Sequence, residues 1–177
     1  MSTFSKLAME AAESGLRFLL IGGHAVAHHH YPRTTEDIDL LVSSHDRESW
    51  LAIAGRVGLT LFHDGGSFLQ FTPPAPSGWR LDLMLVNAST FDKMSAAAES
   101  GSLEGQSVRL PSLDHLLALK LHALKHARGI RVLKDMDDVA NLIINNRIDP
   151  KDPAFRELVL KHGTTELYEK LARLCAE

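Results

Sequence analysis

The stretch Arg33-Thr34-Thr35-Glu36-Asp37-Ile38-Asp39-Leu40-Leu41-Val42 constrains this chain more than any other. It begins polar and charged and runs into a short apolar strand. In a strand, residues i and i+2 leave from one face, so Asp37 and Asp39 point the same way, about 6–7 Å apart. Ile38, Leu40, Leu41 and Val42 supply the packing. Two carboxylates on one face of an apolar strand are costly unless something positive lies between them. A hard divalent cation answers that need, and Mg²⁺ prefers carboxylates together with phosphate oxygens.

A third carboxylate follows on another strand. In Trp79-Arg80-Leu81-Asp82-Leu83-Met84-Leu85-Val86 the leucines alternate with Arg80, Asp82 and Met84. One face is core and the other carries an arginine and an aspartate. If this strand lies beside Asp37–Val42, Asp82 reaches the same cation from the side. Phosphoryl transfer uses such a triangle, with metal charge offsetting the triphosphate and activating the attacking hydroxyl. The bland alternative is an ion pair of Asp82 with Arg80, Arg33 or another cation at a sheet edge.

Upstream, Arg17-Phe18-Leu19-Leu20-Ile21 reads as a buried strand. Gly22-Gly23 ends it, and His24 to His30 reads as a short helix closed by Tyr31-Pro32. Glycine lets backbone approach a ligand closely, and amides at a helix start suit a phosphate. The plain alternative is a tight strand-to-helix turn. The remaining elements expected in order are a helix over 4–14, a helix over 47–55 capped by Asp46, and strands over 59–62 and 67–72. A rigid loop spans 73–78, a helix 90–99, and small strands 102–110.

After Pro111 the pattern changes to helices alone, over 112–127, 132–144, 153–161 and 164–176. The expected organisation is an α/β (α+β) core over 1–110 and a helical region over 111–177 packed on it. On a helical wheel Leu113, Leu116, Leu117, Leu124 and Ala127 share a face, and Lys120 falls within it. A lysine there must snorkel or meet an anion, either a triphosphate or a pocket carboxylate. Lys134 lies off the apolar face of its helix, solvated or paired with Asp138. Arg33 can steady a triphosphate, hold the aspartates, or form a loop salt bridge. Thr35 can brace Asp37, whereas Glu36 has the wrong parity for a ligand.

Composition narrows the partners. The formal charge of −3 over 177 residues excludes a generic nucleic-acid coat, leaving only local basic patches such as His122, Lys125, His126 and Arg128. No apolar run reaches the ~18 residues that span a bilayer, and residues 1–6 lack a signal pattern. The single cysteine, Cys175, cannot form an internal disulfide and fits a small hydrophobe near a helix end. A cytoplasmic setting without a membrane is the expectation. His24 and His28 are spaced for zinc but lack a close third ligand.

The residues Leu19-Leu20-Ile21-Gly22-Gly23, Asp37-Ile38-Asp39-Leu40 and Leu81-Asp82-Leu83 together resemble the nucleotidyltransferase superfamily typified by DNA polymerase beta. Arg33 to Asp39 resemble the Arg-x-Thr-x-Asp-Ile-Asp form of minimal bacterial members, in particular AbiEii-type toxin–antitoxin nucleotidyltransferases. The likeness covers residues 15 to 90 well and residues 112 to 144 weakly. It implies a polymerase-beta-like core with a mixed sheet flanked by helices. The implied reaction moves a nucleoside monophosphate from an NTP, ATP among them, to a hydroxyl and releases pyrophosphate. Mg²⁺, or Mn²⁺, is the implied cofactor. Asp37 and Asp39 would hold the nucleotide-bound metal, and Asp82 would join a second one and take the acceptor proton. Gly22 and Gly23 would shape the phosphate pocket. His24 stands where many members carry a phosphate-touching serine, and can donate a hydrogen bond there. The nucleotide-binding set is then Gly22, Gly23, His24, Arg33, Thr35 and Lys120. The acceptor is a tRNA end, a protein hydroxyl or a small molecule, and a toxin-type member would need an antitoxin partner. A catalytically silent binding module and a metal-dependent phosphohydrolase are the alternative readings.

Overall fold

The computed structural model describes residues 1–76 and 78–175. The strand bearing the aspartate pair is the second of a mixed sheet. Strands β1 (Phe18–Leu20), β2 (Asp37–Ser43), β3 (Thr60–Asp64), β4 (Phe68–Thr72) and β5 (Arg80–Val86) lie in the order β1-β2-β5-β4-β3. β2 and β5 run parallel, and every other neighbouring pair is antiparallel. Parallel neighbours need a long crossover. Here it contains helix α3 (Arg47–Arg56) and the β3–β4 hairpin.

Burial follows the alternation in β5, where Leu81, Leu83 and Leu85 are buried and Asp82 and Met84 are half-buried. In β2, Asp37 and Asp39 are half-buried, but both faces are closed from Leu40 onward. Each large apolar side chain taken from water contributes roughly 1.5–3 kcal/mol. The sheet is thus anchored at Leu40, Leu41, Leu69 and Leu83, and its open end is left to the carboxylates. Trp50 and Ile53 of α3 and Phe91 of α4 (Ala88–Ala96) are fully buried, and α1 (Thr3–Glu13) packs against α3.

Several boundaries differ from expectation for local reasons. The helix after β1, α2 (Gly22–His28), starts on the glycine pair rather than after it. Helix α4 starts at Ala88 because Asn87 caps it by accepting from the Thr90 amide at 2.8 Å, and it ends at Ala96, before Glu99. Glu99 instead opens the hairpin of β6 (Glu99–Leu103) and β7 (Gln106–Leu110). Its turn places Glu104 and Gly105 at φ 50° and 78°, the twist that two-residue hairpins favour. Asp46 makes no side-chain cap to α3. The Ser43 hydroxyl accepts from the His45 amide instead, holding the short turn that leads into that helix.

The chain divides into two compact units. The first joins Met1–Ala25 to Thr34–Ser112, and the second joins Val26–Arg33 to the residues from Leu113 on. The second unit holds α5 (Leu113–His126), α6 (Ile130–Asn145), α7 (Pro153–His162) and α8 (Thr165–Leu174). Leu116, Leu117 and Leu121 of α5 are buried with Val139, Leu142 and Ile143 of α6 and Val159 of α7. The segment before Thr34 is fixed to α6 by hydrogen bonds. Asn145 and Asn146 donate to the carbonyls of His30 and His29 at 2.8 and 2.9 Å, and the Tyr31 hydroxyl donates to Asp137 at 2.6 Å. Cys175 ends α8 half-buried, and burial pushes its thiol up, in keeping with an inert small side chain. Among the described residues no helix is long and apolar enough to cross a membrane.

Candidate active site

The site begins with register. Leu20 of β1 pairs with Leu40 of β2, so the next residue, Ile21, stands opposite Asp39, and its amide donates to the Asp39 carbonyl at 2.9 Å. The chain then turns into α2 at Gly22, whose φ is 62°. That backbone conformation favours glycine. Space requires it independently. A Cβ built on Gly22 would overlap the Asp39 carboxylate, with Cγ at 2.5 Å and Cβ at 2.8 Å. The glycine pair and the aspartate strand are therefore one local structure.

Across the parallel pair, Asp39 stands opposite Asp82 and Asp37 opposite Arg80. Neighbouring strands are about 4.8 Å apart, so two carboxylates lie side by side at the end of β2 and β5. Asp37 follows two residues back on the same face. The Thr35 hydroxyl donates to the Asp37 carbonyl at 3.3 Å, bracing the start of the strand. Asp39 and Asp82, neighbours across the parallel pair, are half-buried oxygen donors of one sign, the chemistry a hard divalent cation prefers. Close-set carboxylates repel unless charge is supplied or a proton retained.

Asp82 also meets a partner that sequence reasoning missed. Gln70 of β4 is its register neighbour, and the Gln70 side-chain amide donates to Asp82 Oδ2 at 2.9 Å. The only sequence signal for Gln70 is a polar residue between Leu69 and Phe71, both buried. At the rim, the His24 ring stacks on Trp79, with centroids 5.0 Å apart and planes 14° from parallel. Trp79 is the residue just before β5, so the stack ties the start of α2 to the start of that strand.

Arg33 and Lys120, expected among the nucleotide-binding groups, pair with carboxylates of the second unit. Arg33 forks onto Asp138 through Nε at 2.6 Å and Nη2 at 3.0 Å. Lys120 Nζ donates to Asp138 at 2.7 Å and Asp135 at 2.9 Å. Of the two anions open to Lys120, the described contacts are with carboxylates of α6. Asp138 is fully buried and Asp135 nearly so, and the pairing is what makes that burial tolerable. Lys134 is exposed, and Asp138 turns inward to the other two cations rather than toward it. His122, Lys125, His126 and Arg128 lie exposed on and just beyond α5.

Comparison with known proteins places this geometry in context. The family model described as "Uncharacterised nucleotidyltransferase" matches residues 1–177. No curated protein sequence matches the chain. Among solved structures, ANT(2")-Ia in complex with adenylyl-2"-tobramycin superposes with a TM-score of 0.59 at 15% identity, covering 98% of this chain and 95% of that one. A nucleotidyltransferase-like antigenic protein from Paracoccidioides brasiliensis gives 0.58 at 14% identity, covering 98% and 91%. The lincosamide antibiotic adenylyltransferase LnuA, bound to lincomycin, gives 0.55 at 14% identity, covering 79% and 94%. At such identities the likeness is one of fold, the polymerase-beta-like mixed sheet with flanking helices and a helical C-terminal region.

Proposed function

We propose a reaction from one premise: the chain belongs to the nucleotidyltransferase family whose model it matches over residues 1–177. The reaction is transfer of a nucleoside monophosphate from an NTP to a hydroxyl. The acceptor oxygen forms a bond to the α-phosphorus, the bond from that phosphorus to the pyrophosphate oxygen breaks, and pyrophosphate leaves. The observation that carries the reading is the pairing of Asp39 with Asp82 across parallel strands, with Gly22 pressed against Asp39.

Each residue then has a task. Asp37 and Asp39 would hold the nucleotide-bound Mg²⁺ or Mn²⁺, and Asp82 would join a second ion and receive the proton of the acceptor hydroxyl. The bound metal supplies charge that offsets the triphosphate and the departing pyrophosphate. Gly22 and Gly23 would let the backbone come close to phosphate, and His24, which stacks on Trp79, would donate a ring N–H at the same turn. Thr35 keeps Asp37 in line. Arg33 and Lys120 pair with Asp135 and Asp138 within the second unit.

A small hydroxyl-bearing molecule is the first acceptor to try, because tobramycin and lincomycin accompany the ANT(2")-Ia and LnuA structures that share this fold. A tRNA end or a protein hydroxyl is the acceptor of the AbiEii-like branch, in which a cytoplasmic toxin is held by an antitoxin protein. Incubation with labelled ATP, CTP, GTP and UTP, first with aminoglycosides and lincosamides and then with total RNA and lysate protein, separates these branches. Asp39→Asn is expected to abolish labelling of every acceptor while leaving the thermal midpoint near wild type. Persistent transfer by that variant would remove Asp39 from the mechanism.

A further inference from the structure

We propose that Gln70 is a positioning residue that orients Asp82 toward a divalent cation, an inference that rests on the nucleotidyl-transfer reading above. Asp82 has two neighbours at the same level of the sheet, Asp39 on β2 and Gln70 on β4. One is a carboxylate and the other a carboxamide. The Gln70 Nε2 group donates to Asp82 Oδ2 at 2.9 Å, between two half-buried side chains. Partial burial strengthens such a bond relative to one in open water.

The bond fixes the plane of the Asp82 carboxylate through one oxygen. Partners of this kind orient metal ligands, and their loss lowers metal affinity or activity by about 10–100-fold.

The residue type fits this task better than its alternatives. A lysine or arginine at position 70 would neutralise the charge that a cation needs. A glutamate would add a third like charge to the pair. An apolar side chain would let the carboxylate rotate. A neutral donor orients Asp82 without competing for it. Leu69 and Phe71 already supply the buried packing of β4, so Gln70 is not needed for the core.

The test compares the full chain with Gln70→Met and Gln70→Leu. Neither variant can donate, and the two differ in shape. Mn²⁺ binding is measured by titration calorimetry in the presence of a nonhydrolysable triphosphate, with thermal midpoints recorded alongside. Both variants are expected to bind Mn²⁺ about 10-fold or more weakly, by like factors, with midpoints close to wild type. In transfer assays kcat falls while the KM for triphosphate holds. Wild-type Mn²⁺ affinity in either folded variant overturns the proposal. So does a loss confined to one shape, which would mark a packing role. If the wild-type chain itself binds no Mn²⁺ with triphosphate, the nucleotidyl-transfer reading falls and this inference falls with it.

Discussion

Gly22 is the residue at which backbone and chemistry constrain each other most tightly. Gly22→Ala asks an L-residue to hold φ near 62° and places a methyl group into the Asp39 carboxylate. The strain costs about 1–2 kcal/mol, and displacing a ligand by about 1 Å can cost a hundredfold in rate. The expected outcome is a modestly lower midpoint in chemical denaturation and a loss of transfer of about 100-fold or more. The aspartate pair was legible in the sequence because a period of two needs no knowledge of neighbours. Lys120 was legible as an anomaly, a cation on an apolar helix face. Its partners were not, because Asp135 and Asp138 belong to the next helix. Gln70 was invisible, since its role depends on the antiparallel register of β4 with β5.

Helix α8 carries a pH-dependent start. Thr164 caps it by accepting from the Leu167 amide at 3.2 Å. The backbone amide of Glu166, and then the Thr164 hydroxyl, hold the Glu166 carboxyl below its ordinary 4.5. A lowered carboxyl contributes stability above the unfolded value and loses it as pH falls through the folded one. The stability gap between wild type and Glu166→Gln is therefore expected to be open near neutrality and to close as pH is lowered below 4.5, followed by denaturant unfolding at several pH values. Most elements were readable from periodicity and glycine or proline punctuation. What periodicity could not supply was the choice among neighbouring polar residues at helix ends. Asn87 caps α4 where the expected start was Thr90, and Ser43 braces the turn for which Asp46 was expected. The parallel pairing of β2 with β5 also lay beyond local pattern, because the β3–β4 hairpin intervenes in sequence.

At the scale of the molecule, Asp138 is the point where distant parts of the second unit meet. It binds Arg33 from the segment ahead of β2 and Lys120 from α5. Asp138→Asn leaves both cations short of a buried counter-charge, and breaking such a cluster typically costs about 3–5 kcal/mol. The expected readout is a lower urea midpoint with the slope of the transition unchanged. The texture change at Pro111 marked where the helices begin, but no local signal assigned residues 26–33 to their company. That assignment comes from hydrogen bonds between residues 105 to 117 positions apart. Sequence separation of this size sets an order of events during synthesis. The peptide from His29 to Arg33 emerges from the ribosome long before Asp138, Asn145 and Asn146 do, so it must wait, undocked, while about a hundred more residues are made. The helical unit consequently closes late, after translation has passed residue 146. Until then that peptide lacks its native partners among residues 138 to 146.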